Sequence, residues 1–197
     1  MKKKFKRLFG LTLLFSCLLI NTACAPVIAT GAIAGLAVYH DRRSTGTIID
    51  DHSVEFSVRK ALRERSEIKN SAHINVVSYN AAVLLVGQVA NQELKTEAQS
   101  IAFAHAPHSK IYNELTVAAP TSMMVRSNDG LITTRIKSAM LIDKRIDATR
   151  IKVVTEDGIV YLLGLVTPSE EKVAVEIART TGGVKKVIKI FNELSLK

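Results

Sequence analysis

Two cysteines carry the most distinctive chemistry in this chain, and both lie near its N terminus. Cys24 follows Ala23 shortly after an apolar stretch, Leu8–Ile20, which five lysines and arginines precede. The stretch is about 13 residues long, which fits the apolar part of a secretory signal and is too short to span a bilayer. A small residue before a cysteine at this place is typical of a signal that is cleaved so that the cysteine can carry lipid. We predict a signal peptide over 1–23, lipidation of Cys24 and a lipidated tether over 24–45.

Two alternatives to this interpretation stay open. Cys17 is a second candidate for lipidation, because Leu14 and Ser16 stand at suitable offsets before it. An uncleaved N-terminal anchor would leave the rest of the chain on the same side of the membrane. With Cys24 at the mature N terminus no further cysteine remains, which excludes disulfides, cysteine nucleophiles and thiolate metal sites from the mature body. Ala25 follows the cysteine and suits sorting to the outer membrane, since an aspartate there is the usual signal for inner-membrane retention.

The remaining polar residues do not form a recognisable catalytic pattern. His105 and His108 have a spacing that could hold a metal ion, but no third ligand stands nearby. The acidic pairs Asp50–Asp51 and Glu170–Glu171 stand at predicted helix starts, where the helix dipole favours negative charge. No nucleophile elbow and no glycine-rich phosphate loop is present. We therefore predict no catalytic residues, no metal and no cofactor.

The charge is unevenly distributed. The chain has 27 lysines and arginines against 18 acids, and five of the basic residues lie in the signal. The basic excess therefore mostly reflects the signal, and we predict no nucleic-acid partner. Residues 46–118 contain seven basic and eight acidic side chains, whereas residues 125–197 contain 13 and nine. The second half is thus the better candidate for contact with an anionic surface.

The chain repeats itself at an offset of 77 residues. The segment from Asp51 to Val89 lines up with that from Asn128 to Val166, and Asn113-Glu-Leu corresponds to Asn192-Glu-Leu. Shared order and shared turn positions are hard to obtain by chance, so the chain contains two copies of one module.

Each copy has the same pattern of elements. An amphipathic helix comes first, and two strands with β-branched alternation follow around a short turn, Asn80-Ala81 or Asp157-Gly158. The second helix is predicted over Gln92–Ala104 and Pro168–Thr180, and the last strand over 110–117 and 184–196. This predicts an α+β fold of two tandem modules, each α-β-β-α-β with two helices on a three-stranded mixed sheet.

The predicted boundaries place module 1 at 46–118, a linker at 119–125 and module 2 at 126–197. The first helices are expected to begin with Asp50 or Asp51 and with Ser127 or Asn128 as N-caps. A module of this size is marginal as an independent core, so the two copies are expected to pack together.

The first helix of module 2 has an outer face that combines apolar and cationic residues. Ile132, Ile136, Ala139 and Met140 have the spacing of a core face. The row roughly opposite contains Leu131, Arg135, Ser138 and Ile142, flanked by Thr134, Lys137 and Leu141. Cations beside an apolar tip suit a lipid headgroup layer. The alternatives are an ordinary solvated face, or packing of Leu131, Leu141 and Ile142 against module 1.

The motif V-x-L-x-G-x-V in the second strand and NEL near the end of both copies resemble the BON domain. Two such modules behind a lipoprotein signal are similar to the DolP family of outer-membrane lipoproteins, and Leu131 occupies the place of an aromatic residue in that family. The resemblance implies a non-enzymatic envelope protein that binds anionic phospholipid, chiefly through module 2, and supports outer-membrane integrity. It also implies that Gly164, Leu165 and Val166 belong to the lipid surface, although Leu165 and Val166 suit a strand core equally well.

The resemblance implies a protein anchored in the outer membrane by its acyl chains and facing the periplasm. Its expected partners are anionic phospholipid of the phosphatidylglycerol type and the membrane itself. An alternative is a protein-binding adaptor for outer-membrane β-barrel assembly or the divisome. A soluble osmotic-stress protein with two BON modules is a third possibility.

Overall fold

The computed structural model describes residues 41–194; the predicted signal, Cys24 and the tether before Asp41 lie outside these residues. The first module contains α1 (Thr45–Glu64), α2 (Ser66–Ser71), β1 (His73–Tyr79), β2 (Ala82–Val89), α3 (Gln92–His105) and β3 (Lys110–Val117). The second module contains α4 (Met123–Ile142), a 3-10 turn (Ala148–Arg150), β4 (Ile151–Glu156), β5 (Ile159–Val166), α5 (Pro168–Thr180) and β6 (Lys186–Glu193). Both modules belong to one compact unit that begins at Asp41.

Each module has the predicted mixed sheet of three strands. The order is β1-β2-β3 in one sheet and β4-β5-β6 in the other. The first two strands of each sheet are antiparallel, and the third pairs parallel to the middle strand across a helical crossover. The α+β fold with two α-β-β-α-β modules is therefore confirmed. The short helix α2 and the 3-10 turn are additional elements that the sequence pattern did not predict.

The two sheets pack face to face, and the helices cover their outer faces. Each helix pair packs on its own sheet to form a separate core. The opposite faces of the sheets share a third core, which contains Val77, Tyr79, Ala82, Leu84 and Val86 from module 1 and Val154, Tyr161, Leu163 and Ile190 from module 2. The molecule is thus a four-layer sandwich of helices, sheet, sheet and helices. The expected packing of the two copies is confirmed.

The first helix of each module begins earlier than predicted. Ser44 caps α1 and Ser122 caps α4, each accepting a hydrogen bond from the backbone N–H three residues later. The predicted caps Asp51 and Asn128 lie inside the helices. The predicted linker over 119–125 is correspondingly shorter, because Met123 already belongs to α4. The first helices of the two modules are offset by 78 residues, the middle strands β2 and β5 keep the predicted offset of 77, and the last strands β3 and β6 are offset by 76.

Both hairpins turn on two residues with positive φ. The φ values are 50° and 59° at Asn80 and Ala81, and 47° and 73° at Asp157 and Gly158. This is the backbone of a type I′ turn, which matches the twist of the flanking strands. The turn predicted from Asn80-Ala81 therefore forms although Ala81 is strained in this conformation.

The glycine inside each second strand is required by a close backbone approach. A Cβ on Gly87 would lie 1.9 Å from the carbonyl oxygen of His73, and Gly87 has φ +122°. A Cβ on Gly164 would lie 2.8 Å from the carbonyl oxygen of Arg150. In module 1 the close approach is to the adjacent strand β1, and in module 2 it is to the 3-10 turn that precedes β4.

Candidate membrane-facing surface

The outer face of α4 displays a row of exposed apolar side chains. Met124 is 82% exposed, Leu131 53%, Leu141 73% and Ile142 82%. Met124, Leu131 and Ile142 are spaced by seven and eleven residues, so they lie on one line along the helix. A helix of 20 residues is about 30 Å long. We call these four residues the apolar ridge, and it follows almost the whole helix.

The ridge faces away from module 1, because the modules contact each other through their sheets. The alternative in which Leu131, Leu141 and Ile142 pack against module 1 is therefore wrong. Ile132, Ile136 and Met140 lie on the opposite side of the same helix and are fully buried in the core of module 2. The helix is thus anchored through one face and leaves the other open.

Three polar residues beside the ridge, Thr134, Arg135 and Ser138, are also exposed. The Thr134 hydroxyl donates to the carbonyl oxygen of Gly130 at 2.8 Å, so it is satisfied within the helix. Ser138 lies exposed between Leu131 and Ile142 along the same line. The Arg135 guanidinium reaches only a weak contact with the carbonyl oxygen of Gly182, at 3.5 Å. Its charge therefore remains available at the surface.

Two cations beside the ridge have no acidic partner in the part of the chain that the structure describes. Arg135 and Lys144 are exposed and take part in none of the ion pairs of residues 41–194. Arg145 differs, since its guanidinium donates to both carboxylate oxygens of Asp143. Hydrogen bonds from the Arg145 side chain and backbone lower the pKa of Asp143 to about 2. The available positive charge is therefore that of Arg135 and Lys144.

Lys137 lies away from the ridge. Its ammonium donates to the carbonyl oxygens of Ala148 at 2.5 Å and Ile151 at 3.0 Å. Burial, and then the nearby charge of Lys152, lower the pKa of Lys137. The side chain thus fastens α4 to the start of β4 and is not placed to meet a phosphate beside Leu131.

Lys137 is part of a polar row that runs along the side of α4. Asp129 and Thr133 precede it at four-residue spacing. Asp129 accepts both backbone N–H groups of the β4–β5 turn at 2.8 Å. The Thr133 hydroxyl lies 2.7 Å from the hydroxyl of Thr155 on β4. The row ties the helix to β4, the edge strand of the sheet, whose open side could otherwise pair with another strand.

Module 1 has the same row in Asp51, Glu55 and Arg59. Asp51 accepts the backbone N–H groups of the β1–β2 turn. Glu55 accepts from the N–H of Ser78 at 3.3 Å, and Arg59 donates to the carbonyl oxygen of Val76 at 3.2 Å. Asp51 is therefore not the N-cap that the sequence predicted, and Asp129 holds the corresponding turn of module 2. The recurring i, i+4, i+8 spacing of polar residues in both copies was the sequence signal for these rows.

The three residues proposed from β5 lie in the sheet and not on the ridge. Gly164 is buried, and Val166 is 2% exposed in the core of module 2. Leu165 is half-buried, and its carbonyl oxygen accepts a hydrogen bond from Arg42 at 3.2 Å. These residues do not present side chains on the outer face of α4.

Met124 is a ridge residue that the sequence interpretation missed. The helix was expected to start after Ser127, which left Met124 in the linker. Because α4 begins at Met123, Met124 falls seven residues before Leu131 and extends the apolar line by two turns. The neighbouring Met123 is also 77% exposed.

The described residues meet neither the requirements for a metal site nor those for a membrane-spanning helix. Residues 41–194 contain no cluster of three or more histidine, cysteine, aspartate or glutamate side chains that could hold a metal ion. The His105 Nδ1 atom lies 3.0 Å from the Ser57 hydroxyl, which accounts for its position. Within the same span, no helix combines the length and apolarity needed to cross a bilayer.

Comparisons with known proteins agree with this architecture. The BON domain family matches residues 50–119 and 128–192, that is, both modules. The outer membrane lipoprotein DolP of Haemophilus influenzae is 43% identical over 192 residues, which cover 98% of this chain and 96% of that protein. The chain belongs to the DolP family of BON-domain lipoproteins.

Two further relatives show the range of names among similar proteins. A 21 kDa hemolysin of Actinobacillus pleuropneumoniae is 40% identical over 77% of this chain and 78% of its own length. The osmotically-inducible protein Y of Escherichia coli is 30% identical over 80% of each chain. The stronger match to DolP places the chain with the envelope lipoproteins rather than with the osmotically inducible protein.

Proposed function

We propose that this DolP-family protein is a non-enzymatic lipoprotein of the outer membrane, facing the periplasm, that binds anionic phospholipid such as phosphatidylglycerol through the outer face of α4. It thereby maintains outer-membrane integrity. The observation that carries the proposal is the apolar ridge, which is exposed along α4 beside Arg135 and Lys144, two cations that form no ion pair within residues 41–194.

The ridge has the composition of an interfacial helix. Its aliphatic side chains would enter the boundary between headgroups and acyl chains, while the two cations meet phosphate groups. Each cation near an anionic surface contributes about 1 kcal/mol. Such contacts are weak alone, and lipidation at Cys24 would make them effective by raising the local concentration of the body at the membrane.

The length of the chain before the body allows this contact. Cys24 precedes Asp41 by 17 positions, so the intervening residues can reach at most about 60 Å when fully extended. The helix α4 is therefore within reach of the bilayer that would hold the acyl chains.

The direct test is co-sedimentation of the unacylated body, residues 25–197, with phosphatidylglycerol vesicles. Leu131→Glu should weaken binding about tenfold or more, because a carboxylate would enter the acyl boundary beside anionic lipid. Phe56→Glu is the matched control, since Phe56 is 69% exposed on the outer face of α1. It should leave binding within about twofold of the unsubstituted body. Undiminished binding of the Leu131→Glu body would remove α4 from the account.

A second candidate function is that of a protein-binding adaptor for outer-membrane assembly or divisome proteins. Ile49 and Phe56 are 62% and 69% exposed on α1. They lie on the opposite outer layer of the sandwich from α4, so they would remain free while α4 contacts lipid. In a pull-down, the Phe56→Glu variant should then lose a partner protein that the Leu131→Glu variant retains. Retention of the partner by both variants would argue against protein binding through α1.

A further inference from the structure

Two consecutive arginines just before α1 reach into different modules. Arg43 donates from Nη1 to the Asp51 carboxylate at 2.8 Å, and its guanidinium carbon lies 3.8 Å from the centre of the Tyr79 ring. Arg42 donates from Nη1 and Nη2 to the two carboxylate oxygens of Glu170, at 2.6 and 3.0 Å. Asp51 and Tyr79 belong to module 1 and Glu170 to module 2. Neighbouring residues of one segment therefore hold both modules.

These contacts are largely shielded from water. The side chains of Arg42 and Arg43 are 21% and 13% exposed, and that of Glu170 is 11% exposed. A fork of two parallel hydrogen bonds between guanidinium and carboxylate is strong and geometrically specific. Glu170 is also fixed from its own module, because the backbone N–H of Thr167 donates to it at 2.8 Å. The acceptor is thus held in place before Arg42 arrives.

The segment lies where other bonds already cross between the modules. The Tyr79 hydroxyl donates to the carbonyl oxygen of Arg150 at 3.1 Å. The Asn192 amide donates to the carbonyl oxygen of Asn80 at 3.2 Å. Since Arg43 stacks on Tyr79, the segment extends a contact that joins the two sheets at this end of the sandwich.

We propose that Asp41–Arg43 act as a staple that locks module 1 to module 2. Asp41 orients the staple, because its carboxylate accepts from the backbone N–H and the guanidinium of Arg43. The staple lies before residue 50, where the first BON match begins, so it belongs to neither domain as the family defines it. A force applied through the chain before Asp41 would therefore act on both modules at once. The staple residues are positioning residues, and the inference does not depend on lipid binding.

Hydrogen–deuterium exchange of the full-length chain in detergent, without added lipid, tests the staple. Arg42→Ala should speed amide exchange about tenfold on both sides of the contact, in residues 77–82 of module 1 and 163–167 of module 2. Arg145→Ala is the matched control, because Arg145 makes the same kind of fork with Asp143 on the open surface of module 2. It should change exchange in these segments by no more than about twofold.

The pattern of exchange distinguishes a staple between the modules from a local role of Arg42 at the start of α5. Faster exchange confined to residues 163–170 would show that Arg42 only supports the start of α5, and it would overturn the proposal, as would unchanged exchange. Amides at Ala98 and Ala102, in the core of module 1, report loss of the whole fold and should stay unchanged. If they also accelerate, Arg42→Lys decides, because it keeps the charge and removes the fork. Exchange about threefold faster in both segments then supports the staple, and exchange equal to that of the unsubstituted chain overturns it.

Discussion

The outer faces of α1 and α4 differ although the two helices occupy the same place in their modules. Counting 78 residues between them, Ser53 and Glu64 of α1 stand where α4 has Leu131 and Ile142. The outer face of α1 exposes the apolar side chains of Ile49 and Phe56. Its Lys60, however, has an acidic partner, because the Lys60 Nζ atom lies 3.9 Å from the Glu64 carboxylate. The α4 face has four exposed apolar residues and two cations without an acidic partner among the described residues.

The inner faces and the edge rows of the same helices agree closely. The buried pairs are Val58 with Ile136 and Leu62 with Met140, and the acids at the hairpin turns are Asp51 and Asp129. The core and the sheet edge constrain these positions, because a wrong residue there leaves a cavity or an unpaired backbone group. The outward positions are under no such packing constraint. A difference in function between the modules is therefore expected on the outer faces.

The largest effect should come from the glycine that both sheets require. Gly87→Ala should destabilise the protein by about 4 kcal/mol or more, since the methyl group would overlap a backbone carbonyl at a positive φ. Gly164→Ala should cost about 1–3 kcal/mol, because its overlap is smaller and its φ is not positive. Thermal unfolding of both variants measures this difference between the modules.

Gly130→Ala is the control for these substitutions. Gly130 lies inside α4, and an added Cβ would meet nothing within 4 Å. Alanine is the better helix former, so this variant should gain about 0.5–1 kcal/mol. Equal losses at positions 87 and 164 would contradict the geometric account of the two glycines.

Transfer of two α1 residues onto α4 should reduce the difference between the outer faces. Leu141→Arg with Ile142→Glu copies Arg63 and Glu64 from module 1. The double variant should bind phosphatidylglycerol vesicles about tenfold more weakly, because half of the ridge is lost. Co-sedimentation measures it, and the matched control replaces Arg63 and Glu64 by alanine. Equal loss in both would show that the effect is not specific to α4.

Arg135 and Lys137 lie on the same helix, but the charge of Arg135 is available at the surface whereas that of Lys137 supports the fold. Arg135→Ala should weaken vesicle binding about fivefold at low salt, and the loss should shrink as salt rises. Lys137→Ala should instead destabilise the fold by about 1–3 kcal/mol, since two buried carbonyl oxygens lose their donor. Its folded form should keep its affinity within about twofold. A large affinity loss in stable Lys137→Ala protein would place Lys137 at the lipid after all.

The smallest effect is a pH dependence that Glu170 of module 2 should cause. Burial alone would raise the pKa of Glu170, but hydrogen bonds from Arg42 and Thr167 lower it from 4.5 to about 2. A carboxylate with a depressed pKa stabilises the fold above pH 4.5, and this contribution is lost as the pH falls towards 2. Glu170→Gln should therefore flatten the decline of the melting temperature between pH 5 and about 2. Glu93→Gln, at an exposed acid in the first turn of α3, should leave the decline unchanged.

Much of the fold was predictable from local pattern, and less of the site was. The bounds of β3 and α5 agree with prediction because each begins and ends at a clear turn or cap signal. The predicted helix starts were wrong because Asp51 resembles a cap in sequence but holds the hairpin turn in the tertiary structure. The actual caps, Ser44 and Ser122, lie several residues earlier than the predicted ones. The strand β2 is buried at all eight positions. Such an apolar run indicates that both faces of the sheet are covered, but it does not show which element covers the second face.

The site prediction failed where a side chain had two possible partners. Lys137 lies near the ridge in a helical projection, but its long stem carries the ammonium to the sheet edge. Helical periodicity predicts the direction of the Cβ atom of Lys137, but it does not predict where the ammonium group at the end of the side chain lies. Leu131, Leu141 and Ile142 have no such reach, so their predicted place on the outer face agrees with the structure.

The most direct test of the central proposal is an NMR titration of residues 25–197 with micelles that contain phosphatidylglycerol. The account predicts that amide shifts and line broadening concentrate in α4, around Leu131 and Ile142, and are absent when the micelles carry only zwitterionic lipid. Perturbations that fall equally on α1, or none at all in a folded body, would contradict it.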